Sequence, residues 1–154
     1  MPTLPLAPEP SLPNAITSST GFLVKEVFWR FRHTLERTLH AHALRPPQYL
    51  MLLVLRDEGT MAQHALGQRL GLDRTTGMQL IQALADRGYV TREDDPSDRR
   101  VYRLSLTTTG RRLATQLERE YAAAEAQLLA PLSGKERSAF ASLLRRLLDA
   151  SDHC

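Results

Sequence analysis

The sequence predicts a mainly α-helical protein carrying one small β-hairpin, on three observations. Apolar residues recur at helical spacing along most of the chain. A single stretch, residues 89–106, changes to a period of two. Pro46-Pro47, Gly59, Gly71, Gly88 and Pro131 punctuate the segments where one element should give way to the next. At 154 residues the chain has the length of one domain. Its 42% hydrophobic and 24% charged content is that of an ordinary globular protein.

Residues 1–15 hold five of the nine prolines and read as an extended arm outside the core. From about Thr17 to Ala43, Val24, Phe28, Phe31, Leu35 and Leu39 mark one apolar face of a helix. Proline suits the first turn of a helix, so Pro47 opens the next one, which is apolar nearly all round from Tyr49 to Leu55 and is therefore expected to be buried. A short helix over about 62–70, a turn at Gly71-Leu72 and a helix from Asp73 to about Arg87 follow. Tyr89–Arg92 and Val101–Leu106 read as two strands, with the turn formers Glu93-Asp-Asp-Pro-Ser-Asp98 between them. Leu113, Leu117, Tyr121, Ala124 and Leu128 stripe a fifth helical segment. The last helix begins at a capping box of Ser133 and Glu136 and carries Phe140, Leu143, Leu144, Leu147 and Leu148.

Composition removes several function classes. No apolar run approaches the roughly 20 residues of a membrane span, and the N-terminus lacks the pattern of a secretory signal, so cytoplasmic residence is expected. The sole cysteine, Cys154, allows no intramolecular disulfide and reads as incidental. No glycine-rich phosphate loop, nucleophile–base pair or buried acid–base pair is recognisable, so no catalytic residue, no cofactor and no enzyme activity is expected. The histidines His33, His40, His42, His64 and His153 lack metal-ligand spacing, and Arg37 lies between His33 and His40, so no metal site is expected.

The chemistry concentrates in residues 62–107, a helix-turn-helix followed by the hairpin. Asp73 is placed as an N-cap, and Arg74, Thr75, Thr76 and Gln79 follow at the end of a helix that can enter a major groove. Leu80, Ile81 and Leu84 would seat its other face on the core. Gly77 weakens a helix interior by about 1 kcal/mol, which close approach to DNA would explain. His64 opens the preceding helix and faces either a phosphate or water. Between Arg69 and Arg112 nine arginines face six acidic residues, an excess of three that equals the net charge of the whole chain, +3. Eighteen of the twenty basic residues are arginines, which suits phosphate and base-edge contacts but would also follow from a GC-rich genome. Arg92, Arg99, Arg100 and Arg103 cluster on the hairpin, where an arginine can enter a narrowed minor groove. Asp98 would hold one guanidinium in place; the alternative is a solvated charged turn.

Four segments, Leu72-Asp-Arg-Thr-Thr76, Leu84-Ala-Asp-Arg-Gly-Tyr-Val90, Asp95-Pro-Ser-Asp-Arg-Arg100 and Ser105-Leu-Thr-Thr-Thr-Gly110, resemble the MarR family of regulators in order and spacing. The resemblance covers nearly everything after residue 15. It implies a winged helix-turn-helix with dimerisation helices at both ends, within one domain over 16–152: a DNA-binding lobe at about 47–107 and a dimerisation region at about 16–45 and 108–152. It also implies a triangular homodimer that binds double-stranded DNA at a palindromic operator and represses transcription. Asp98 and Arg100 would be the structural pair of the wing, Arg99 and Arg100 would lie near the minor groove, and Thr75, Thr76 and Gln79 fall on recognition-helix positions. The sequence departs from relatives that carry a second threonine and then a basic residue: here stand Met78 and Gln79. Gln79 can read an adenine edge in bidentate fashion.

Trp29, the only tryptophan, lies off the main stripe of its helix, and core packing is one explanation for it. The resemblance supplies another, because many relatives bind small aromatic anions between the dimer helices and the DNA-binding lobe. Trp29, with His33 one turn on, would then line an effector pocket. The rival to the whole reading is a winged-helix module that binds a protein in place of DNA, which would tolerate loss of the wing arginines.

Overall fold

The computed structural model describes residues 13–96 and 101–151. The elements are α1 (Asn14–Thr17), α2 (Thr20–His40), α3 (Pro46–Glu58), β1 (Met61–Ala62), α4 (Gln63–Arg69), α5 (Arg74–Asp86), β2 (Val90–Asp94), β3 (Tyr102–Leu106), α6 (Thr108–Leu128) and α7 (Gly134–Ser151). The expected mainly α fold with a small hairpin is thus observed, with two additions. A short helix begins at Asn14, inside the stretch expected to be an arm, whose residues 1–12 lie outside the described ones. The two residues of β1 pair with β3 through Met61↔Leu104 and Ala62↔Arg103, giving a three-stranded antiparallel sheet in the order β1-β3-β2. No helix among the described residues is long and apolar enough to cross a membrane.

One core joins these elements. Leu39 of α2, Met51, Leu52 and Leu55 of α3, Leu66 of α4, Leu84 of α5, Leu104 of β3 and Leu117 of α6 are all fully buried. Leu104 and Leu106 are the inward residues of β3, as the period of two requires, and they root the hairpin. Tyr102 shares their face but lies further along the hairpin and is exposed. Trp29 is half exposed, so core packing does not account for it.

The end of α2 is built without the residue that usually stands there. Ala43 N–H donates to the His40 carbonyl and Leu44 N–H to the Leu39 carbonyl, the paired bonds of a Schellman turn. Ala43 occupies the left-handed position of that turn at φ 50°, where glycine is preferred. Leu44 in turn packs beside Leu39 in the core. The same paired bonds close α5, with Gly88 at φ 68°, Gly88 N–H to Ala85 and Tyr89 N–H to Leu84.

The start of α6 sits on that second turn. Thr107 caps the helix by accepting from Gly110 N–H at 3.0 Å, while its hydroxyl donates to the Gly88 carbonyl at 2.7 Å. Its own N–H donates to the Tyr89 carbonyl at 3.1 Å. A Cβ at residue 110 would fall inside the van der Waals shell of the Tyr89 carbonyl group, which is backbone and held by its neighbours. Gly110→Ala is therefore expected to cost about 3 kcal/mol or more, at the upper end of overpacking. The urea midpoint of the variant measures it; a midpoint equal to that of the wild type would show that the helix start is free to shift.

Candidate nucleic-acid interface

Helix α5 is divided lengthwise. Gly77, Leu80, Ile81 and Leu84 are buried, whereas Arg74, Thr75, Met78, Gln79 and Gln82 are exposed. Asp73 starts the helix from extended backbone, and its Oδ1 accepts from Thr76 N–H at 2.9 Å, as the sequence led us to expect. Thr76 is half-buried beside that cap, so Arg74, Thr75 and Gln79 form the accessible part of the expected set. Gly77 is buried at the lining of the hollow beside α4, and a Cβ there would lie 3.8 Å from Gly67 Cα, an ordinary van der Waals distance, so the packing of α4 on α5 has room for an alanine.

Helices α4 and α5 and the hairpin enclose an open hollow of about 630 Å³. His64 and Gln68 line it from α4, Arg74 and Met78 from α5, and Arg92 and Tyr102 from the hairpin. Gln63 Oε1 is buried at this lining with no hydrogen-bond partner among the described residues. On the hairpin, the Arg92 guanidinium lies over the Tyr102 ring at 3.6 Å from its centroid. Arg103 pairs with Asp95 at 3.7 Å. An acid does steady an arginine on this hairpin, then, at a pair that the sequence reading did not single out. Asp98, Arg99 and Arg100 lie outside the described residues, as does Cys154.

A second cavity, of about 520 Å³, lies where α2, the start of α3 and α6 meet. Phe28, Phe31, Leu35, Pro46, Pro47 and Tyr121 give it apolar walls, and Arg32, Arg45 and Glu36 bring charge. Trp29 and His33 are not among its lining residues. Trp29 reaches it through Arg32, whose guanidinium lies 5.0 Å from the indole and donates to Glu36 at 2.9 Å. His33 is exposed on α2. Burial, followed by the Glu125 carboxylate, pushes the Tyr121 phenol above its ordinary value, so it is a neutral donor at physiological pH. Among the described residues no group of three or more His, Cys, Asp or Glu side chains is placed to hold a metal ion.

A helix-turn-helix whose second helix bares a polar face, followed by an arginine-bearing hairpin, defines the winged-helix class of DNA-binding proteins. The family model described as MarR family matches residues 44–101. The PcaV transcriptional regulator of Streptomyces coelicolor is 31% identical in sequence, with 89% of this chain and 100% of that one covered and a TM-score of 0.73. The transcriptional repressor NicR of Pseudomonas putida is 26% identical over 147 residues, 96% of this chain and 93% of its own. BpsR of Bordetella bronchiseptica, whose DNA binding is regulated by 6-hydroxynicotinic acid, is 26% identical, with 89% and 98% covered and a TM-score of 0.72. The chain belongs to the MarR family: it is a DNA-binding transcriptional regulator and not an enzyme.

The cap of α5 ties this surface to pH. Hydrogen bonds from Thr76, from its side chain and then its backbone N–H, hold the Asp73 carboxyl below its ordinary value near 3.8. A carboxyl lowered by folding stabilises the folded state above its unfolded value, and that contribution is lost as pH falls through the lower folded value. Asp73→Ala is therefore expected to lower Tm at pH 7, and the gap to wild type should close as the pH is taken below about 3.8. Thermal unfolding across that range tests it; a gap independent of pH would assign the loss to something other than the carboxylate.

Proposed function

We propose that this regulator is a repressor: a homodimer that holds a palindromic operator with α5 in the major groove and the hairpin over the minor groove, and that lets go when an aromatic acid enters the cavity between α2, α3 and α6. The observation that carries the reading is the face of α5, polar and exposed at Arg74, Thr75 and Gln79 and rooted by leucines behind. In this reading Gln79 and Thr75 meet base edges, and Arg74, with His64 at the hollow, meets the sugar–phosphate backbone. Arg99 and Arg100 reach the minor groove, with Asp98 as the partner that orients the tip. Residues 47–107 form the DNA-binding lobe; 16–45 and 108–152 form the dimerisation region.

Apolar surface supports the dimer. Leu143, Leu144, Leu147 and Leu148 of α7 are 39–70% exposed, and Leu23, Val24, Val27 and Phe28 of α2 are 38–55% exposed. Two such stripes near the ends of one chain are what a second copy would cover. The cavity supports the effector. Its size is that of a small-molecule site, its walls suit a ring, and Arg32, Arg45 and the neutral Tyr121 phenol suit a carboxylate. The regulation of BpsR by 6-hydroxynicotinic acid makes that compound the first to try. Trp29 enters as the residue that steadies Arg32.

Binding to DNA from the gene's own upstream region, followed across a salt series, tests the first half. Affinity is expected to fall by roughly 10³-fold or more between 50 and 200 mM salt, with Arg99→Ala/Arg100→Ala weaker and its salt slope shallower. Binding no tighter than to random DNA, from this region or a genomic pool, would favour a protein partner. For the second half, 6-hydroxynicotinic acid and related aromatic acids are expected to displace DNA and change Trp29 fluorescence, with Arg45→Ala about tenfold or more weaker for the acid. An Arg45→Ala protein as responsive as wild type would move the effector elsewhere.

A further inference from the structure

Arg87 is the C-cap of the recognition helix, and its side chain leaves that helix altogether. Nη2 donates to the His42 carbonyl at 2.7 Å and Nη1 to the Ala43 carbonyl at 2.9 Å, more than forty residues back along the chain. Nη2 also donates to the Tyr89 hydroxyl at 3.2 Å, and the guanidinium lies 4.9 Å from that ring's centroid. The two carbonyls lie just past the last turn of α2, at the negative end of its dipole, where a cation is favoured and carbonyls lack helical partners. Two parallel donors on two adjacent carbonyls fix direction as well as distance, because the guanidinium is a planar fork.

The point that Arg87 grips is itself fixed. The His42 ring pairs through Nε2 with Glu120 of α6 at 2.7 Å, so the end of α2 is fastened to α6. Helices α2 and α6 belong to the dimerisation region proposed above. The apolar face of α5, by contrast, contributes non-directional packing through Leu80, Ile81 and Leu84. Among the described residues a further side-chain tie to α5, Gln48 Nε2 to the Leu80 carbonyl at 3.4 Å, runs to α3 within the DNA-binding lobe.

We infer that Arg87 sets the angle at which the recognition helix stands on the dimer frame, and with it the half-site spacing that the protein accepts. This rests on the reading of the protein as a DNA-binding dimer. The end of α5 that faces DNA is about eleven residues from Arg87, a lever of roughly 16 Å. A tilt of about 10° at the fastened end moves the reading end by about 3 Å, and a two-fold axis doubles the change in separation to about 6 Å. One base-pair step is about 3.4 Å, so slack at a single guanidinium is worth more than one step of operator spacing. Arg87 acts here as a positioning residue that touches no base.

The test takes the full-length dimer and an operator selected from random DNA. That operator is then rebuilt with one or two base pairs added or removed at its centre. Wild type is expected to lose at least tenfold in affinity on the altered spacings, a typical coupling between sites. Arg87→Ala is expected to bind the preferred spacing more weakly while the ratio between preferred and altered spacings drops about tenfold. Arg87→Lys, which can reach one carbonyl, should recover part of that ratio and serves in place of the alanine variant if the latter does not fold. Arg74→Ala, by comparison, should weaken every spacing alike. A folded Arg87 variant with the wild-type spacing ratio, or a wild type indifferent to spacing, overturns the inference and leaves DNA binding intact. If wild type selects no sequence at all, the DNA-binding reading fails first and the inference with it.

Discussion

The first turn of α6 lies so close to the turn between α5 and β2 that the backbone at Gly110 meets the carbonyl of Tyr89 with no room for a side chain. Thr107 makes the same junction in hydrogen bonds, one hydroxyl capping α6 while it satisfies the Gly88 carbonyl. Much of the architecture hangs on this contact. It fixes where the hairpin returns to the helical body, since β3 ends one residue before Thr107. It fixes where α6 begins, and so how the helix carries Leu113, Ala114 and Leu117 into the core. It also holds the turn that ends α5, because Gly88 and Tyr89 are the last two residues of that Schellman motif.

Around this junction the chain separates two kinds of chemistry. The face bearing Arg74, Thr75 and Gln79 is open, wide and polar, suited to a partner that arrives with its own charge and water. The cavity at the start of α3 is smaller and mostly apolar, with its cations at the edge. Arg45 connects them in sequence: its N–H donates to Gln48 Oε1 at 2.9 Å, and the Gln48 amide reaches the backbone of α5. Among the described residues Gln48 is the one polar residue buried in the core, and it bridges the cavity wall to α5.

The sequence shows most of the fold because most of it is periodic. The amphipathic stripes of α2 and α6, the buried α3, the Ser133–Glu136 capping box and the alternation in β3 are local patterns that survive without knowledge of neighbours. Asp73 as the cap of α5 is equally local. What the sequence hides depends on partners far along the chain. Two residues cannot announce a strand, so β1 is visible only once β3 lies beside it. The cavity draws Arg32 and Arg45 together with Tyr121 from a helix far along the chain, which no spacing rule anticipates. Arg87 and Tyr89 stand in plain view within a family-like motif, but the carbonyls that Arg87 holds are more than forty residues away.

The three-stranded sheet has an outcome for the protein's behaviour in a crowded cell. Open sheet edges recruit foreign strands, and a hairpin presented on the surface is an obvious place for that to begin. Here the edge at β1 is two residues long, too short to template a ladder. The edge at β2 runs through exposed Thr91, Arg92, Glu93 and Asp94, whose mixed charges would have to be stripped of water by any incoming strand. The strand that carries Leu104 and Leu106 into the core, β3, is the central one, paired along its length with β2 and at Arg103 and Leu104 with β1. The polar residues that suit the hairpin to nucleic acid thus also protect it against aggregation, so charge-removing changes along β2 bear on solubility as well as on recognition.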